Sequence, residues 1–140
     1  MPAAPDAAAA WLAKVHPNRA HAAQWMRSAG LVLLPLGVRW SAVKADEHDG
    51  LAAAADVSGP VIHDPGGRVV YFLVPVTTSE TWTCPRTELL GVACWLAVPA
   101  PRTTEPPGVH WVRPPDGSGL LVDPVALHAA ISGRTAEAVS

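Results

Sequence analysis

Glu88, His63 and His110 are the side chains of this sequence best suited to acid–base chemistry. A carboxyl at Glu88 would exchange protons near neutrality if an apolar cleft raised its pKa, and would do nothing of the kind if it ended a strand in open water. His63 stands directly before Asp64, and a carboxylate can fix an imidazole's tautomer and raise its basicity. Successive side chains of an extended strand point to opposite faces, however, so His63 and Asp64 do not share a pocket, and neither do His110 and Trp111. Asp64 before a proline also has an ordinary role as the first residue of a turn. His128, on the last predicted helix, reads as a boundary residue.

The candidates for binding are aromatic. Six tryptophans stand against one tyrosine and one phenylalanine. Trp25 and Trp95 fall in amphipathic or apolar segments and are expected to fill the core. Trp40 and Trp82 lie beside polar, loop-like stretches and are expected to wall a pocket for a flat ligand, with Tyr71 and Arg39 as further contacts. No Ser-His-Asp order, P-loop or dinucleotide glycine fingerprint is present, and the ten-residue spacing of Cys84 and Cys94 matches no zinc pattern. Neither a metal site nor a cofactor is expected. An enzyme built from these residues would be a small metal-independent acid–base catalyst of the lyase or cyclase type.

The elements that must position these residues follow from local signals. Ala7 to Val15 favours helix and Pro17 stops it. Asn18 caps a second helix that puts Ala22, Trp25, Met26 and Ala29 on one face and ends at Gly30. Leu31 to Leu36 has strand length, Val38 to Val43 is a weaker strand, and Ala45 to Asp56 reads as a helix in which Gly50 costs about 1 kcal/mol relative to alanine. Val61-Ile62 and Val69 to Val74 form a hairpin around Asp64-Pro65-Gly66-Gly67, whose proline and glycines supply the dihedrals of a tight reversal. Thr77 to Arg86 is loop-like. Val92 to Val98 has the continuous apolar character of a strand buried on both faces, and a proline-rich loop from Pro99 to Gly108 separates it from Val109 to Val112. Asp123-Pro124 starts a last helix with Leu127, Ala130 and Ile131 inward before Gly133. The predicted fold is α+β, a small mixed or antiparallel sheet packed by helices, in one domain over residues 1–140 with flexible ends at about 1–6 and 134–140.

Composition narrows the function classes. With 49% hydrophobic and 16% charged residues the chain is a folding globule. Net charge is −2 and the ten Lys and Arg are scattered, so no basic stripe offers a landing surface for nucleic acid. No apolar run spans a membrane and no signal peptide opens the chain, which predicts a cytoplasmic protein. The Ala/Pro/Gly/Val-rich composition points to a high-GC bacterium.

The order and phrasing of these segments resemble the N-terminal module of bifunctional DNA primase/polymerases, the prim-pol group of the archaeo-eukaryotic primase superfamily. Ala22-Ala23-Gln24-Trp25 through Gly30 to Leu36 looks like that family's opening helix and first strand, and Gly66-Gly67-Arg68-Val69-Val70-Tyr71-Phe72 like its glycine-rich strand. Glu88 to Pro101 with His110-Trp111 resembles its third motif and proline exit, and Asp123 to Ile131 its closing helix. The resemblance implies a prim-pol-like fold and a two-metal nucleotidyl-transfer centre held on carboxylates. The residues depart from it. No Asp-x-Asp pair follows the first helical layer, Val69 falls where the resemblance implies a nucleotide-contacting histidine, and Leu90 replaces an arginine after Glu88. The expectation is a polymerase-inactive, metal-free relative whose cleft binds or transforms a small, aromatic organic molecule, as in a condensation or cyclisation step of specialised metabolism. The alternative is a regulatory or assembly protein that meets a protein partner through edge strands or the loop Pro99 to Pro107. A DNA-replication accessory role ranks third.

Overall fold

Local signals set the helix ends. The side-chain oxygen of Asn18 accepts from the His21 amide at the start of α2 (Arg19–Ala29), and Gly30, left-handed at φ 73°, returns its N–H to the Met26 carbonyl. Asp123 accepts from the Ala126 amide at the start of α4 (Pro124–Val139). The computed structural model describes residues 4–139, with side chains described over 7–133. The ends expected to be flexible, about 1–6 and 134–140, lie largely outside the described side chains; the backbone of α1 (Ala4–Ala13) starts at Ala4, and α4 continues past Gly133, where the sequence placed its stop. Thr135, Ala136, Glu137 and Ala138 sustain a helix well enough to carry one glycine.

Between these helices lie seven strands, all paired antiparallel: β1 (Leu31–Pro35), β2 (Ser41–Asp46), β3 (Val61–Asp64), β4 (Val69–Val74), β5 (Thr87–Leu90), β6 (Trp95–Pro99) and β7 (His110–Arg113). Five form a sheet in the order β5-β2-β4-β3-β7, and β1 and β6 form a separate two-stranded ribbon. The α+β expectation is therefore met. The helix predicted from Ala45 begins later, as α3 (Glu47–Ala54), because Ala45 and Asp46 complete β2 against Val70 and Val69. The strand predicted over Val92 to Val98 is not buried on both faces. It starts at Trp95, after a turn at Val92-Ala93, and shows one face to solvent.

Each face of the large sheet has its own core. Val43, Ala45, Val61, Val70, Phe72 and Val74 pack with Ala53 and Ala54 of α3 and Leu127 and Ile131 of α4; this is the helix face. Ala42, Ile62, Leu73 and Trp111 pack with Leu12 of α1, Ala22 and Met26 of α2, and Val32, Leu34, Leu96 and Val98 of the ribbon; this is the ribbon face. Gly50, unfavourable for α3 alone, lets that helix lie against β4, since a Cβ there would meet Val70 Cβ at 2.8 Å. Arg113 ties β7 to the far end of α3: its Nε donates to the Gly59 carbonyl at 2.6 Å and a terminal nitrogen to the Ala54 carbonyl at 3.3 Å. A cation there meets the negative end of the α3 dipole, and burial lowers its pKa from the usual arginine value.

The tryptophans are distributed differently from expectation. Trp25 and Trp95, predicted as core, are 49% and 53% exposed, whereas Trp40, predicted to wall a pocket, is fully buried and stacks on Trp11 at 6.2 Å. Periodicity fixed the apolar stripe of α2, but only its Ala22 and Met26 found neighbours to cover them.

Candidate functional site

Strand register brings the singled-out residues into two adjacent rows on opposite faces of the large sheet. Across the ribbon face run Glu88, Lys44, Tyr71, Ile62 and Trp111 in register; across the helix face run Thr87, Ala45, Val70, His63 and His110. The three expected catalytic side chains are thus divided, Glu88 on one side of the sheet and both histidines on the other. His63 and Asp64 part in the same way, as the strand geometry required.

On the helix face, the rings of His63 and His110 meet edge-on with centroids 4.9 Å apart. His63 Nε2 lies 2.7 Å from a carboxylate oxygen of Glu47, at the start of α3, and His110 Nδ1 bonds the Gly108 carbonyl at 2.8 Å. Sequence reasoning found both histidines but missed Glu47, sixteen positions before its partner and without a local pattern to mark it. The row pins α3 to β3 and β7. Neither histidine lines the groove at Lys44 or the hollows around Arg102, Arg113 and His128.

The ribbon face is covered at the Trp111 end and open at the other. There a groove of about 310 Å³ is lined by Lys44 and Asp46 of β2, Arg68 and Val69 at the start of β4, and Arg86, Thr87 and Glu88 of β5 and its approach. Lys44 stands between Glu88 and Tyr71 in register. Glu88 is exposed, so the apolar cleft that would have tuned it does not form. The Tyr71 hydroxyl has its pKa raised above 10.0, first by burial and then by the negative charges of Asp64 and Glu88, so it remains a hydrogen-bond donor at neutral pH.

Two groove residues carry unusual backbone. Arg68 and Arg86 are left-handed, at φ 56° and 67°, and the only other non-glycine residue so placed among those described is Ala93. The conformation costs about 1–2 kcal/mol in an L-residue. The hairpin turn was legible, but its left-handed position falls on Arg68 rather than on Gly66 or Gly67. Gly67 instead makes room for Asp64, whose carboxylate accepts its amide at 3.2 Å.

The remaining sequence-predicted binders do not converge. Trp40 belongs to the core of the ribbon face. Trp82 packs against that of the helix face, so the two form no common wall. Trp82 still touches the groove indirectly, its indole N–H donating to the Thr87 hydroxyl at 3.0 Å. Its other face meets His128, which bonds the Thr83 carbonyl. Arg39 is exposed between β1 and β2, away from the rows described. Asp46, His48 and Asp49 present ligand atoms within 4.8 Å of one another, a trio able to hold a cation that the sequence reading did not anticipate. Its geometry is accounted for locally: Asp46 caps α3 by accepting from the His48 and Asp49 amides, and Asp49 pairs with Arg86 at 3.3 Å. Cys84 and Cys94 are free and belong to opposite cores. No helix among the described residues is long and apolar enough to cross a membrane. No protein-family model, curated protein or solved structure matches the chain.

Proposed function

We propose that this domain binds a small aromatic anion in the groove above Lys44, on a prim-pol-like scaffold that no longer transfers nucleotides. The observation that carries the reading is the pair of left-handed arginines, Arg68 and Arg86, held on the rim of one groove with Lys44 at its floor. Backbone strain of this kind concentrates where side chains must be aimed at a ligand. Three cations, offset by Asp46, Glu88 and the Asp49 carboxylate that pairs with Arg86, favour an anion of low charge, and Tyr71, protonated at neutral pH, supplies a ring and a hydrogen-bond donor beside Lys44.

On this reading β2, the partner of the glycine-rich strand β4, takes the place of the paired-aspartate strand implied by the resemblance, and its two outward side chains are Lys44 and Asp46. An ammonium there brings a fixed positive charge where the resemblance implies metal-bound charge, so β2 supplies one of the two acidic side chains that the resemblance implies. Binding is favoured over turnover because Glu88 stands across the sheet from His63 and His110.

The test uses the Trp82–Thr87 hydrogen bond. Titration with 2-naphthoate should change tryptophan fluorescence in a saturable way, and the change should shrink in Trp82→Phe. Lys44→Met should weaken binding by about tenfold, the worth of one charge-assisted contact of roughly 1.4 kcal/mol. A flat titration across a panel of aryl carboxylates and aryl phosphates, or unaltered affinity in Lys44→Met, refutes the proposal.

A further inference from the structure

The ribbon and the groove pose different problems. Along the outward face of the ribbon lie Leu31, Leu33 and Trp95, exposed at 38%, 59% and 53%, with no charged side chain on either strand. Edge strands are normally guarded by charges, bulges or proline, because unpaired N–H and C=O groups invite another strand. The large sheet follows that rule: its edge strand β5 carries Glu88, and β7 carries His110 and Arg113. Only Pro35, at its last position, blunts β1.

Register identifies which backbone groups are free. The Leu36 amide donates to Cys94 and the Ala100 amide to Gly30, so even-numbered positions of this segment face the partner strand. Leu31 and Leu33 therefore turn their N–H and C=O groups outward. The equivalent edge of β6 is partly occupied, since the outward Pro99 carbonyl accepts from the Trp111 indole at 2.8 Å. That leaves β1 as the open template.

Charge selects the occupant. From Ala7 to Ala45, and again from Leu89 to Thr104, the sequence contains no Asp or Glu, and Arg27, Arg39 and Arg102 are all exposed. Arg27 precedes β1 by one helical turn, Arg39 follows it, and Arg102 reaches back to the Arg27 carbonyl at 3.4 Å. We infer that the β1 edge is a docking site for an extended peptide of alternating acidic and apolar residues, which would add as a third strand. Its N–H and C=O groups would pair with Leu31 and Leu33, and its carboxylates would meet the flanking guanidiniums. Nucleic acid is the less fitting occupant, because Trp95 is the one exposed ring on the ribbon strands and the flanking arginines are scattered, where single-strand binding needs a row of stacking rings in a basic groove.

The probe is the capped peptide Glu-Val-Asp-Ile-Glu-Val-Asp, compared with its all-lysine counterpart and with oligodeoxythymidylate, by calorimetry and amide hydrogen exchange. Saturable binding of the acidic peptide, with new exchange protection at Leu31 and Leu33, is expected. Affinity should fall about tenfold in Arg27→Gln/Arg39→Gln and in Leu33→Pro, which removes an outward N–H together with the exposed leucine side chain. Leu33→Glu, which keeps that N–H and repels the probe, covers the case in which the proline variant misfolds, and unchanged thermal unfolding checks both. Equal binding of the lysine peptide, preference for the oligonucleotide, protection elsewhere, or a sedimentation profile showing that a second copy covers β1 would each overturn the inference. Lys44→Met should leave peptide binding intact, which separates this site from the groove.

Discussion

The five-stranded sheet and the two-stranded ribbon are both antiparallel and both bury apolar side chains on a shared core, yet they treat their exposed positions in opposite ways. The sheet ends in charged edges, and its unburied row at Lys44 and Glu88 is polar. The ribbon buries Val32, Leu34, Leu96 and Val98 and leaves Leu31, Leu33 and Trp95 in water. The difference lies in what covers each element. The large sheet is packed on both faces, by α3 and α4 on one side and by α1, α2 and the ribbon on the other, whereas the ribbon has a single core to face. Exposed apolar side chains on a regular strand therefore mark a surface without an internal partner, and the cations Lys44, Arg68 and Arg86 gathered beside one another mark a groove.

The sharpest way to break this comparison is to place one substitution in both regions. Leu73→Lys buries an uncompensated charge at a fully enclosed position and should destabilise by more than about 4 kcal/mol, whereas Leu33→Lys should stay within about 0.5 kcal/mol. Urea unfolding of the two variants measures both values, and similar losses would mean that the outward face of the ribbon is covered. Gly50→Ala comes next in size. In an exposed helix it would stabilise by about 1 kcal/mol, but here the new methyl meets Val70, and a loss of about 1–3 kcal/mol is expected. A gain in melting temperature would show that α3 does not lie tightly on β4.

Arg68→Gly should act on the groove alone, relieving a left-handed residue. Stability should rise by up to about 1 kcal/mol while affinity for 2-naphthoate falls; a loss of stability would deny that Arg68 is strained. The smallest effect is expected at Tyr71. Its folded-state pKa lies above the unfolded value, so its contribution is complete below that value and is lost as pH rises through the folded one. As pH rises through and above the ordinary tyrosine value of about 10 the parent chain should lose slightly more stability than Tyr71→Phe, with the difference kept small by solvent around a hydroxyl that is only partly buried.

How far the sequence speaks follows the range of each interaction. Asn18, Gly30 and Asp123 were legible as caps because their partners lie within four residues. The position of the Asp64-Pro65-Gly66-Gly67 turn was legible for the same reason, but the identity of its left-handed residue was not, since that depends on how β3 and β4 meet. Strand alternation correctly separated His63 from Asp64 and His110 from Trp111. It could not show that His63 lies opposite His110 and against Glu47, because those contacts depend on sheet order. Trp25 and Trp95 misled because an apolar stripe records which side of an element is greasy and carries no account of how many neighbours arrive to cover it. Lys44, at the floor of the groove, was overlooked because the strand that carries it was placed too early in the chain.

The Arg113 clamp has a consequence for assembly. Its two carbonyl partners lie 54 and 59 positions earlier in the chain, so that contact closes a loop of more than a third of the polypeptide. One outer strand of the large sheet is thus fastened to a helix that the chain left long before, which makes the bond between an edge arginine and a distant helix end the hasp on which β7 shuts.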